Sequence, residues 1–111
     1  MELLIVFTSE EKGVEQILEI LAENEIERGV VIDSQGMWKI LRENLDTEKI
    51  FGIFADRRPF NKTIMAIVEK ENVQEIIESI NKFWNHSKDK ERKKNRVMFS
   101  LPLNNLVIGI R

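Results

Sequence analysis

The hydrophobic pattern begins with an unbroken apolar run at residues 3–7, which is too short for a helix. Such a run is typical of a strand that is central in its sheet and covered on at least one face. Thr8 or Ser9 can cap the helix that follows, whose apolar residues recur at helical intervals: Val14, Ile17, Leu18 and Leu21. We expect this first helix to end near Glu25.

The middle of the chain predicts two further strands with an ambiguous stretch between them. Residues 29–32 are rich in β-branched side chains and end in the polar sequence DSQG. Residues 37–45 suit a short helix, whereas residues 50–54 suit a strand. Residues 63–69 (TIMAIVE) then alternate as a half-buried strand does.

A second amphipathic helix and a C-terminal strand region complete the pattern. Asn72 and Glu75 have capping-box spacing, and one buried face follows: Val73, Ile76, Ile77, Ile80 and Phe83 or Trp84. Residues 85–96 (NHSKDKERKKNR) offer no apolar side chain to bury and predict a solvated basic loop. Residues 97–100 predict a strand, Pro102 confines that point to an edge or a turn, and residues 106–110 (LVIGI) predict a last short strand.

The order of these elements is β, α, β, β, α, β, which predicts an α+β, ferredoxin-like sandwich with two helices on one face of an antiparallel sheet. Apolar residues alternate toward both faces in the first and third predicted strands. Two helices can cover only one of those faces. We therefore expect a partner on the other face, and symmetric self-association is the economical solution.

Composition narrows the class of protein. The 111 residues fit one domain over 1–111. The 17 Lys and Arg residues are balanced by 19 Asp and Glu residues, so the net charge provides no global attraction for nucleic acid or anionic membrane. The chain has no cysteine, which excludes disulfides and thiolate chemistry. No apolar run approaches the roughly 20 residues that span a bilayer. We expect a cytoplasmic protein without membrane insertion.

Three segments resemble a known family. Residues 96–111 (RVMFSLPLNNLVIGIR) resemble the closing segment of PII-type nitrogen regulatory proteins, in which a strand, a Leu-Pro or similar dipeptide and a final short strand recur. Residues 33–37 (DSQGM) resemble the base of the family's long signalling loop, which would span residues 34–62. Residues 57–64 (RRPFNKTI) resemble a divergent PII-like branch whose members are associated with membrane transport proteins.

The resemblance implies a homotrimer with its sheets in the interior and effectors bound in clefts between subunits. It implies adenine nucleotides as effectors, no other cofactor, and a protein partner, such as a membrane transporter, on which the long loop docks. The chain also departs from the family. Residues 88–96 contain no glycine, so the phosphate-binding loop of ATP-binding members has no counterpart, and the terminal pair of arginines is reduced to Arg111. Without tyrosine, tyrosine modification is excluded.

The candidate ligand-binding residues form three groups, and each group has a plainer interpretation. The polar turn after the second strand can present free backbone amides to a ligand or simply end the strand. The paired arginines can bind an anion or form surface ion pairs. The basic loop can contact phosphate or remain solvated. The candidates are Ser34, Gln35, Gly36 and Met37; Arg57, Arg58 and Lys62; and Lys94 and Arg96.

Catalysis is not expected. A lone His86 makes neither a metal site nor a triad, and no P-loop, dinucleotide fingerprint or nucleophile elbow is present. Trp38 is either a docking anchor for a partner or a side chain packed on its own domain. Two alternatives to a PII-like regulator remain: a scaffold trimer without ligand, and an RNA-binding ferredoxin-like domain, against which the acidic balance argues.

Overall fold

The computed structural model describes residues 1–9, 11–44, 61–86 and 96–109, which form one antiparallel sheet and three helices. The strands lie in the order β2-β3-β1-β4, and every neighbouring pair is antiparallel. This is an α+β fold compatible with the predicted ferredoxin-like class. The elements are β1 (Glu2–Thr8), α1 (Glu11–Glu23), β2 (Gly29–Asp33), α2 (Met37–Asn44), β3 (Lys62–Val68), α3 (Lys70–His86) and β4 (Val97–Pro102).

The structure settles part of the ambiguous middle of the chain. The short helix predicted near residue 37 is confirmed as α2, so residues 34–62 are not one continuous loop, and Lys62 already belongs to β3. The strand predicted at 50–54 lies outside the described residues.

Two predicted boundaries in the C-terminal half are wrong. Helix α3 begins at Lys70 and not at Asn72, whose N–H donates to the carbonyl oxygen of Glu69 at 2.9 Å within the first turn. The helix continues to His86, so Asn85 and His86 belong to α3 and not to the basic loop predicted at 85–96, of which residues 87–95 lie outside the described residues. Residues 106–109, the described part of the strand predicted at 106–110, form no strand with the described chain.

The core lies between one face of the sheet and the helices α1 and α3. Burial alternates residue by residue along β1 and β3, as the period of a half-covered strand requires. Each fully buried aliphatic side chain contributes about 1.5 to 3 kcal/mol to folding. The core comprises Leu4, Val6, Val14, Ile17, Leu21, Ile64, Ala66, Val68, Val73, Ile76, Ile80 and Trp84.

Helix α1 ends in a Schellman motif without the usual glycine. The N–H of Ile26 donates to Leu21 O and the N–H of Glu25 donates to Ala22 O, both at 3.0 Å. Glu25 occupies the left-handed region with a φ of 61°. Ile26 then packs against the core, which fixes the direction in which the chain enters β2.

Pro102 lies on the outer edge of the sheet, as predicted. The N–H of Leu103 donates to Met1 O at 3.0 Å. Because antiparallel pairing alternates, the backbone N–H and C=O groups of the odd-numbered residues of β4 bond to β1, and those of the even-numbered residues point away from the sheet. The missing N–H of Pro102 therefore removes no hydrogen bond from the sheet.

Candidate functional site

The sheet has an apolar face opposite α1 and α3, which we call the open face. The strand register places its side chains in three rows, of which two cross all four strands and the third crosses β3, β1 and β4; Thr63 is the polar exception among them. The open face comprises Leu3, Ile5, Phe7, Val30, Ile32, Thr63, Met65, Ile67, Val97, Phe99 and Leu101. This surface confirms the alternation toward both faces that the sequence predicts.

The open face is most accessible along the two outer strands. Val30 of β2 is 56% exposed and Leu101 of β4 is 47% exposed, whereas the side chains of the two central strands are half-buried. The eleven residues that form the face include no charged side chain, and Arg28 borders it opposite Ile67. Contiguous apolar surface spanning a whole sheet is uncommon on soluble monomers and marks an interaction site.

Aromatic packing stiffens the middle of the open face. The rings of Phe7 and Phe99 meet edge to face across β1 and β4, with centroids 5.7 Å apart and planes at 73°. Such pairs contribute about 0.5 to 1.5 kcal/mol beyond the area that they bury. The two strands therefore present a preformed apolar surface.

A polar turn adjoins the open face at the end of the sheet where β2 stops and β3 starts. Two concave surfaces meet there. One has a volume of about 320 Å³ and is lined by Asp33, Ser34, Gln35, Lys39, Asn61 and Lys62. The other has a volume of about 290 Å³ and is lined by Phe7, Ser34, Gln35, Gly36, Met37 and Thr63. The structure thus brings together all four predicted turn residues and Lys62.

Hydrogen bonds fix the polar turn in place. The Thr63 hydroxyl donates to Ser34 Oγ at 3.0 Å, and the N–H of Ser34 donates to Asn61 O at 2.9 Å. The carbonyl oxygen of Gly36, which is itself buried, accepts the N–H of Lys39 at 3.1 Å and begins α2. The turn is therefore anchored both to β3 and to the first turn of a helix.

Lys62 is already paired. Its ammonium donates to the Asp33 carboxylate on the neighbouring strand, with side chains that are 24% and 85% exposed respectively. A pair this exposed contributes at most about 1 kcal/mol because solvent screens it. The plainer interpretation of surface ion pairing therefore describes Lys62. Arg57 and Arg58 lie outside the described residues.

Arg96 holds the end of α3. Its Nη1 donates to the carbonyl oxygen of Trp84 at 3.0 Å, and its guanidinium lies 5.9 Å from the centroid of the Trp84 ring. A cation at the carboxyl end of a helix satisfies a terminal carbonyl and interacts favourably with the helix dipole. A cavity of about 350 Å³ adjoins this contact, lined by Ile77, Asn81, Trp84, Asn85, Arg96 and Met98. Lys94 lies outside the described residues.

The polar turn and Arg96 lie at the same end of the sheet but at opposite edges. The turn follows β2, Arg96 precedes β4, and β3 and β1 lie between them. Three spacings of about 4.8 Å put the outer strands about 14 Å apart. Within one chain, the structure does not bring Arg96 into the cavities at the polar turn.

Similarity to known proteins is confined to the fold. A crystal structure of a functionally unknown protein from Pediococcus pentosaceus is similar, with a TM-score of 0.56 and 13% identity over 97% of this chain and 96% of that one. No protein-family model and no curated protein matches the chain. The likeness supports the α+β fold with its four-stranded antiparallel sheet.

One cavity was missed by the sequence reasoning. It has a volume of about 340 Å³ and lies at the other end of the sheet, lined by Met1, residues 24–28, Ile67, Glu69, Asn72 and Ile108. Its residues come from four separate segments of the chain, so no local sequence motif indicates the cavity.

Across the described residues, no group of three His, Asp or Glu side chains is placed to hold a metal ion. Among the same residues, every helix is too short or too polar to cross a membrane.

Proposed function

We propose that this protein is a PII-like regulator that assembles as a homotrimer through its open face and binds a small anionic effector at the seams between copies. The observation that carries the proposal is the open face, where apolar side chains from all four strands form an uncharged surface. Burying apolar surface contributes about 25 cal/mol per Å². A second copy of the same chain is always available to cover it.

The number of copies and the effector class come from the resemblance of residues 33–37, 57–64 and 96–111 to PII-type segments. Adenine nucleotides are accordingly the first candidates, and a protein partner such as a membrane transporter would receive the signal through residues 34–62. In this proposal the protein is cytoplasmic and has no catalytic activity.

Geometry explains why the effector would bind between copies. A head-to-tail ring turns the β2 edge of one copy toward the β4 side of the next, which includes the segment after β4. The polar turn at Ser34–Gly36 would then face Arg96 of the neighbouring copy, joining two regions that lie about 14 Å apart in one chain. Amides and a guanidinium are suitable donors for phosphate or carboxylate oxygens.

A scaffold trimer without ligand is the second candidate. Two of the predicted ligand contacts already have partners, because Lys62 pairs with Asp33 and Arg96 binds Trp84 O. The absence of glycine from residues 88–96 also favours a scaffold without ligand. An RNA-binding role is less favoured, and the absence of a salt-dependent gel shift would remove it.

Mass in solution tests the assembly. We expect light scattering to give three times the mass of one chain, and Val30→Asp to reduce it because a carboxylate would enter a dry interface. Val30 is 56% exposed in the single chain, so the substitution should leave the fold intact. Leu18→Asp is the matched control, since Leu18 is 36% exposed on α1 and lies outside the open face. A wild-type monomer would overturn the proposal.

Calorimetry separates the two candidates. We expect heat on titration with ATP, ADP, AMP or a cyclic nucleotide, and weaker binding in Arg57→Ala and Lys94→Ala variants. A trimer that gives no heat with any of these nucleotides would leave only the scaffold. Binding that persists in Val30→Asp monomers would contradict a site between copies.

A further inference from the structure

Among the described elements, strand β2 is the outermost strand on its side of the sheet. The N–H of Ser34 donates to Asn61 O and the N–H of Ile67 donates to Arg28 O, so the even-numbered residues of this strand bond to β3. Antiparallel pairing alternates, which turns the N–H and C=O groups of Gly29, Val31 and Asp33 outward. No described element lies beyond β2 in the sheet. An edge without lysine or proline is a template for another strand.

The segment after β4, residues 104–109, contains three consecutive apolar residues at 106–108 and pairs with no described segment. Leu103 N–H donates to Met1 O, and beyond it no described backbone group of residues 104–109 bonds to another described segment. Leu106 is 37% exposed, Ile108 is 38% exposed and Val107 is 93% exposed. The strand pattern of these residues thus has no pairing partner within the described chain.

The segment does not reach its own β2. It leaves β4 at the opposite edge of the sheet, and Ile108 lies at the end of the sheet beside Ile67 and Arg28, where it lines the 340 Å³ cavity. Residues 105–109 therefore lie across the ends of the strands and not along the outer edge of β2.

We propose that residues 105–109 of one copy add a fifth strand to the β2 edge of the next copy. The two segments match in length, since β2 comprises five residues, and both are apolar at their centres, Val31 and Val107. The β4 edge is a poorer template because Pro102 occupies one of its outward positions. The inference rests on the assembly proposed above and specifies its backbone contact.

Cross-linking between copies tests the contact directly. The chain has no cysteine, so single variants Val31→Cys and Val107→Cys can be mixed, refolded together and oxidised. Paired residues on adjacent strands have Cα atoms about 4.5 to 5.5 Å apart, which suits a disulfide. Both residues are central in their segments, so either strand direction pairs them. We expect the mixed disulfide to form at least about tenfold faster than with Glu19→Cys, an exposed position on α1.

The outcomes separate this contact from the assembly as a whole. A trimer in which Val31→Cys cross-links no faster to Val107→Cys than to Glu19→Cys would overturn the inference and leave the proposed assembly standing. Preferential cross-linking of Val31→Cys to Ser100→Cys would do the same, since it would place β4 on that edge. A protein that is monomeric throughout would overturn both.

A backbone substitution provides a second test on the folded protein. Val31→Pro removes an outward N–H that makes no hydrogen bond to any described residue, whereas the matched Val31→Ala keeps it. We expect Val31→Pro to raise the concentration at which the assembly half dissociates by about tenfold more than Val31→Ala does. Circular dichroism of the dissociated chains checks that both variants fold. Equal midpoints for the two variants would contradict a strand on this edge.

Discussion

Neighbouring residues of β3 provide a direct test of what covers each face of the sheet. Ile64 points into the helix-covered core and is 0% exposed. Met65, the next residue, lies on the open face between Val30 and Ile5 and is half-buried in the single chain. Substituting each by alanine therefore removes apolar volume from opposite sides of one strand.

The expected magnitudes differ because, in the proposed assembly, a second copy covers Met65 but not Ile64. Ile64→Ala leaves a cavity in a closed core and should lower the free energy of unfolding by about 3 kcal/mol. Met65→Ala should lower it by about 1 kcal/mol in an isolated chain, where the side chain is partly wet, and by about 2 to 3 kcal/mol where another copy keeps it dry. Assembly follows mass action, so the cost at Met65 should rise with protein concentration.

Urea unfolding at two protein concentrations about 100-fold apart, followed by far-ultraviolet circular dichroism, measures both costs. The cost of Ile64→Ala should be the same at the two concentrations, and that of Met65→Ala should increase by at least about 1 kcal/mol. A cost for Met65→Ala near 1 kcal/mol at both concentrations would refute the reasoning, because the open face would then be wet at both.

Two further predictions concern single contacts. Glu25→Gly should stabilise the chain by about 1 kcal/mol in thermal unfolding, because glycine adopts a φ of 61° without strain, and Glu25→Ala should bring no such gain. Arg96→Ala should destabilise the chain by about 1 kcal/mol through loss of the hydrogen bond to Trp84 O, with Arg96→Lys intermediate. Unchanged urea midpoints in the Arg96 variants would show that this contact does not hold the helix end.

The fold was largely predictable because its signals are local. The short apolar run of β1, the alternation in β3 and the helical spacing in α1 and α3 are each visible within one segment of the sequence. The start of α3 was predicted two residues too late, because Asn72 and Glu75 have the spacing of a capping box although the helix begins at Lys70. A strand at 106–110 was predicted because an apolar pattern shows that a segment can pair, while the chain alone does not show with what.

The candidate site was less predictable because its contacts are long-range. The register of β2 against β3 sets Asp33 beside Lys62, and that register depends on the whole sheet. The contact of Arg96 with Trp84 requires β4 to return past the end of α3. Sequence pattern identified these basic residues as charged and exposed, but it did not indicate which carbonyl or carboxylate each would meet.

Sheet topology links assembly to ligand binding in a way that neither property shows alone. Ser34 and Arg96 flank the same end of the sheet, yet two central strands separate them, and those strands cannot be removed without losing the core. In the proposed trimer, a ligand that contacts both would therefore bridge two copies. Binding of such a ligand and association of the chains would then be thermodynamically coupled, so a nucleotide that binds would tighten the assembly by the same coupling free energy by which assembly tightens its binding. Regulation would act through this coupling, with the open face providing the association and the polar turn, anchored between β3 and α2, providing the response.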